Sequence, residues 1–197
     1  MRHIFRPLAI SFIAISLLAA CVTKTATSPN YYLLSSEQLT SRALDLKAFK
    51  LAVGPVDVPA HLDREGIATH DGQNQINYSD KHRWAEPLKK DLVKTLNANL
   101  VQLLPNQQLI EFPYRQSNRP DYQLSINIEK FGYINDGSVV LQARSVLLDD
   151  RGRQIDSNYI DLRQVQAEKD YPAIVRLMSN LLGEMAVELA NRFSVIL

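Results

Sequence analysis

Disulfide chemistry is excluded at the outset, because the 197-residue chain holds a single cysteine, Cys21, and one thiol cannot close an internal bridge. A surplus charge is lacking as well. Lysine and arginine total 22 against 21 for aspartate and glutamate, so no long-range field draws the chain to nucleic acid or to acidic substrates. No apolar run reaches the roughly 20 residues that a membrane-crossing helix needs. The nucleotide and hydrolase signatures GxGxxG, GxSxG, HExxH and the P-loop do not occur. What is present is 46% apolar and 22% charged residues, the composition of one globular domain long enough to bury a core.

The lone cysteine sits at a boundary. Arg2, His3 and Arg6 precede an almost wholly apolar stretch from Pro7 to Leu18, and Leu18-Ala19-Ala20 places small residues just before Cys21. These are the three parts of a secretory signal. Leu18-Ala19-Ala20-Cys21 also resembles the lipobox of bacterial lipoproteins, which implies cleavage before Cys21 and a diacylglycerol on its sulfur, with palmitate as the type of acyl chain added. An ordinary secretory signal with a coincidental cysteine is the alternative. Val22 is not the aspartate that resembles an inner-membrane retention signal, which favours the outer membrane, although Lys24 complicates any sorting rule. Loss of Arg2 and Arg6 with residues 1–20 leaves 20 basic against 21 acidic residues. Residues 21–30 then form the acylated N-terminus and a small, polar, proline-containing tether, whose nine residues after Cys21 would span about 15 to 18 Å as a flexible coil. Residues 31–197 form a single periplasmic α/β domain.

Periodicity organises that domain. YYLLSS reads as a short strand, and Lys50 to Pro59 alternates so that Leu51, Val53, Val56 and Val58 face inward around Gly54-Pro55. Since Pro55 cannot donate to a ladder, the strand lies at an edge or carries a bulge. Ile67 to His70 and INYS suggest two short extended pieces around an Asp71-Gly72 turn. From Glu86 to Leu104 the period becomes helical: Leu88, Leu92, Leu96, Leu100 and Leu103 make a stripe opposite Lys89, Lys90, Asp91, Lys94 and Asn97. Pro87 suits the first turn, and Pro105 ends the helix. In DYQLSINIEKFGYI, Tyr122, Leu124, Ile126 and Ile128 share one face and polar residues the other. Turns at Asp136-Gly137 and DDRGRQ continue this strand into a three-stranded antiparallel meander. A second helix, from Tyr171 or Pro172 to about Phe193, carries the stripe Ile174, Leu177, Met178, Leu181, Met185 and Leu189. A half-wet sheet and two one-sided helices combine as a two-layer α/β sandwich, with a mixed, mostly antiparallel sheet and both helices on one face.

Catalytic and metal chemistry find little support. His61, His70 and His82, with Asp63, Asp71 and Asp80 nearby, match no ligand spacing, and zinc needs three or four ligands converging at about 2.0 to 2.2 Å. They read as surface histidines, with no metal or other cofactor. Trp84 reads as a packing residue at the start of the first helix rather than a binding aromatic. Lys89, Lys90 and Lys94 form a modest basic face that phospholipid headgroups could meet.

LAVGPVDVPAHLDREGIAT, followed by HRWAEPLKKDLVKTLNANL, resembles the ABC-type transport auxiliary lipoproteins, the PqiC-like family. The matching pieces are Val53-Gly54-Pro55, Leu62-Asp63-Arg64 and Trp84 to Leu88, behind the lipobox and Tyr31-Tyr32-Leu33. Gly66 departs from the residue the family often has before isoleucine, and His61 and His70 lie outside its pattern. The resemblance implies a non-enzymatic lipoprotein on the inner leaflet of the outer membrane. Its implied partners are a periplasmic MCE-domain protein and, through it, an inner-membrane permease, in a system moving lipids or other hydrophobic molecules. A homo-oligomeric ring would match the rings and tubes of MCE proteins, and nucleic acid is not among the partners. The partner surface is expected in Gly54 to Ile67, with Gly54, Pro55, Leu62, Asp63 and Arg64 as its residues. A periplasmic lipid carrier, with an acyl chain held between helices and sheet, is the alternative function.

Overall fold

The computed structural model describes residues 28–39, 46–72, 74–166 and 168–197; the signal segment, Cys21 and most of the tether lie outside the described residues. Among these residues eight strands form one mixed sheet: β1 (Asn30–Tyr32), β2 (Lys50–Asp57), β3 (Gly66–His70), β4 (Ile76–Trp84), β5 (Gln108–Glu111), β6 (Tyr122–Ile134), β7 (Ser138–Asp149) and β8 (Gln154–Val165). Helix α1 (Leu88–Leu103) lies between β4 and β5, and helix α2 (Tyr171–Ile196) follows β8. The expected architecture of a mixed sheet with two helices is the observed one.

The long strand β6 organises the sheet. On one side β7 runs antiparallel to it from Tyr122 to Ile134, and β8 continues the meander. On its other side β2 pairs parallel with Tyr122 to Asn127, and β3 pairs parallel with Tyr133 and Ile134. The sheet therefore divides into two arms beyond β6. One arm is β2 with β5 as its outer strand, and the other is β3, β4 and β1. Residues 58–65 span the fork.

Two bulges keep the apolar side chains on one face despite the irregular strands. In β2 the register shifts between Val53 and Val56, so Leu51, Val53 and Val56 all enter the core. Pro55 thus sits at a bulge in an interior strand, flanked by β6 and β5, rather than at a sheet edge. In β6 the shift between Ile128 and Lys130 lets Phe131 and Tyr133 continue the face begun by Leu124, Ile126 and Ile128. The first strand starts at Asn30, which pairs with His82, one residue before the expected start of the domain. Strand β4 runs nine residues, through Trp84, well past INYS.

Both helices bury their stripes, Leu88, Leu92, Leu96, Leu100 and Leu103 in α1 and Ile174, Met178, Leu181, Met185 and Leu189 in α2, while Leu177, expected on the α2 stripe, is half-buried at its margin. Trp84 packs in the same core. Pro87 occupies the N-cap of α1 rather than its first turn, and it offers no side-chain cap. Helix α2 is capped by Asp170, whose carboxylate accepts from the Ala173 amide. Across the helix pair lies a strap outside the sheet, residues 33–39, which is fixed to both helices by side chains. Neither described helix is long and apolar enough to cross a membrane.

Candidate docking surface

The first turn of α1 has amide donors without helical acceptors, and Pro87 supplies no side-chain oxygen. Asp63 takes that role from the fork loop, its Oδ1 accepting from the Lys89 amide at 3.3 Å. A carboxylate is also favoured there by the helix dipole. The loop itself is closed by the Leu62 amide donating to the Pro59 carbonyl at 2.8 Å, with Leu62 only 1% exposed. Below it, Lys89 Nζ stands 3.7 Å from Asp57 Oδ1 at the end of β2. On the other side the Trp84 amide donates to the Glu65 carbonyl at 2.8 Å, and Arg83 pairs with Glu65 at 3.2 Å.

These contacts draw together pieces distant in sequence. Leu62-Asp63-Arg64 and Trp84 to Leu88 meet at the N-terminal end of α1. Asp63 and Arg64 are exposed, Leu62 is buried beneath them, and Arg64 has no hydrogen-bond or ion-pair partner among the described residues. Gly54 and Pro55 stand apart in β2. Gly54 is buried with φ of 132°, and a Cβ there would lie 2.8 Å from Cβ of Phe112, so glycine is needed for β2 to pass that side chain. Pro55 is half-buried.

Asp63 and Pro87 form a ridge between two hollows. The first, a cleft of about 470 Å³, is lined by Tyr31, Arg64, Glu65, Arg83 and Trp84 among others. The second, of about 740 Å³, runs between α1 and β5 over Val93, Leu109 and Ile110, with Lys89, Lys90 and Lys94 along its rim. Glu86 faces two of these lysines, Lys90 Nζ at 3.0 Å and Lys94 Nζ at 3.5 Å. Their hydrogen bonds, that from Lys90 foremost, hold its carboxyl below the usual glutamate range.

The histidines do not converge. His61 and His70 meet edge to face with ring centroids 5.8 Å apart, and burial, before the neighbouring His61 and Lys130 charges, lowers the pKa of His70. His82 lies in another cluster, hydrogen-bonded through Nδ1 to the Tyr32 hydroxyl at 2.8 Å and stacked on Tyr171 at 4.1 Å. No group of three or more potential metal ligands occurs among the described residues.

Sequence reasoning missed the residues that hold the strap. Asp91 accepts from the Leu34 amide at 2.6 Å, Ser179 from Ser35 at 3.1 Å, Asn99 from Glu37 at 3.1 Å and Gln102 from Leu39 at 3.3 Å. Asp91, read above as part of a wet face, is 1% exposed, and burial raises its pKa against the lowering effect of the Leu34 amide. The available signal was a second stripe on α1, Asp91, Thr95, Asn99 and Gln102, at helical spacing beside the leucines.

A family model described as the ABC-type transport auxiliary lipoprotein component matches residues 31–190. The chain belongs to this family. It is therefore an auxiliary lipoprotein of an ABC-type transport system, in a family of transport components rather than enzymes, and the matched range contains all three motif segments. The intermembrane transport lipoprotein PqiC of Escherichia coli (strain K12) is 26% identical over 175 residues, covering 88% of this chain and 90% of that protein. Two crystal structures share the fold. One, of an uncharacterized protein, has a TM-score of 0.71 at 22% identity and covers 85% of this chain and 99% of its own. The other, of a Xanthomonas campestris protein, has a TM-score of 0.73 at 14% identity, covering 85% and 96%.

Proposed function

We propose that this family member is a non-enzymatic docking subunit that receives a periplasmic MCE-domain protein at the outer membrane, and through it works with an inner-membrane permease in intermembrane transport of lipids or other hydrophobic molecules. One observation carries the reading: the two segments that carry the resemblance, Leu62-Asp63-Arg64 and Trp84 to Leu88, meet at the start of α1, where Asp63, Arg64, Ala85 and Pro87 are exposed above buried Leu62, Trp84 and Leu88. A loop that served packing alone would not need to present Arg64 unpaired beside a cleft. Asp63 and Arg64 form the contact, Leu62 supports them from below, and Gly54-Pro55 shapes the neighbouring strand. Acylated Cys21 fixes the chain to the membrane, residues 21–29 act as the tether, and the rest is one periplasmic domain.

Co-purification from envelopes solubilised in mild detergent tests the reading. The tagged wild-type chain is expected to recover an MCE-domain protein. Arg64→Glu, a change at an exposed residue, is expected to lower that recovery at least tenfold while leaving thermal unfolding unchanged. Failure of the wild type to recover such a protein would overturn the proposal.

A further inference from the structure

The hollow between α1 and β5 is bounded by a strand whose outer edge has no strand partner among the described residues. Strand β5 is the outermost strand of its arm, paired with β2 on one side only. The Gln108 amide donates to the Phe49 carbonyl at 3.0 Å, so Gln108 and Ile110 turn their backbone groups toward β2. By the alternation of a strand, the N–H and C=O of Leu109 and Glu111 point the other way, along the open edge. A row of donors and acceptors at strand spacing is complementary to another extended chain, which no lipid tail or helix can match. Beside that row lie the apolar side chains of Val93 and Leu109, Leu109 on the same face as its register partner Leu51, and the rim carries three lysines with the carboxylates of Asp63 and Glu111. Lys90 and Lys94 share a single carboxylate, Glu86, which leaves one positive charge in excess at that pair, while Lys89 faces Asp57.

We infer that the α1–β5 groove binds an extended segment of a protein partner as an added strand on β5. The segment has apolar side chains at alternate positions, for the floor of the groove, and a carboxylate facing Lys90 and Lys94. With β5 only four residues long, the added strand is correspondingly short, so the interaction supplies direction and register beside a larger contact at Arg64. The inference rests on the docking reading and extends it by naming the form of the bound segment.

The test uses the full chain in its native envelope, with the photo-crosslinking residue p-benzoylphenylalanine placed singly at Val93, Leu109 or Arg64, and mass spectrometry of the adducts. Val93 and Leu109 are expected to crosslink to one stretch of about four to six residues in the same protein that Arg64 captures. Leu109→Pro removes an outward N–H without touching the β2 ladder, and it should cut the Val93 adduct at least tenfold while the Arg64 adduct persists. Should that variant melt early, Lys90→Glu with Lys94→Glu serves instead, and is expected to reduce the Leu109 adduct at least threefold. Adducts at Val93 with phospholipid alone, with a second copy of this chain, or with scattered segments would overturn the inference, as would none at Val93 when Arg64 still captures a protein. Absence of a protein adduct at all three positions would bring down the docking reading and this inference with it.

Discussion

Asp91 shows how a single residue ties the outermost layer to the core. Its carboxylate is buried and accepts the Leu34 amide, so removing it strands a backbone donor under the strap. Asp91→Ala is expected to destabilise the protein by about 1–3 kcal/mol in urea unfolding. Asp91→Asn keeps an acceptor and removes the ionised group that burial disfavours. Because the folded pKa of Asp91 is raised above its ordinary 3.8, its contribution is fully present below that value and is lost as pH rises through the folded pKa. The stability of Asp91→Asn relative to wild type is therefore expected to increase as pH rises above 3.8 and to level off above the folded pKa, a trend that unfolding curves at several pH values will check. Gly54 is the second sensitive point. A side chain there meets both an unfavourable φ and Phe112, and Gly54→Ala is expected to cost about 1–3 kcal/mol, read as a lower midpoint in the same experiment. Neither role could be read from residue type: an aspartate beside lysines on a helix looks solvated, and a Gly-Pro pair looks like an interruption.

At the scale of elements, the helices and the meander were legible because their signals are local. Apolar side chains recurring with a period of 3.6 or 2 must share a face, whatever the rest of the chain does. Strand β5 escaped notice because QLIE is too short to show a period and lies between Pro105 and Pro113. The strap differs from the sequence reading, which places its residues 33–36 in the YYLLSS strand: β1 ends at Tyr32, and the residues after it bond to helix side chains instead of a ladder partner. Gly183 of α2 makes room for it: a Cβ there would stand 3.1 Å from Leu39 Cδ2 and 3.4 Å from Glu37 Cβ. Gly183→Leu is expected to lift the strap while leaving helix content intact. Hydrogen exchange should then accelerate at the Ser35, Glu37 and Leu39 amides by tenfold or more, with the α1 and α2 amides little changed. Uniform exchange across strap and helices, equal to that of wild type, would show that the strap tolerates the bulk.

On the scale of the whole molecule, the anchor and the domain are expected to be separable. Lipid chains on Cys21, as proposed, would contribute about 0.8 kcal/mol per buried methylene to membrane attachment, so two or three chains would hold the protein durably. Among the described residues, in contrast, the core is built from Tyr32 onward. Cys21→Ala is thus expected to move the protein from the membrane to the soluble fraction with no change in thermal midpoint, and a tenfold drop in membrane-associated protein on fractionation is the measure. The charge balance, the single cysteine, the lipobox-like segment, both helices and the antiparallel meander follow from the sequence itself, since composition and short-range periodicity express the physics of side chains along a few turns or strands. The fork at β6, the open edge of β5, the strap and the meeting of Asp63 with the start of α1 were decided only by tertiary structure. Backbone hydrogen-bonding groups are the same at almost every residue, and which of them find partners depends on how distant segments pack.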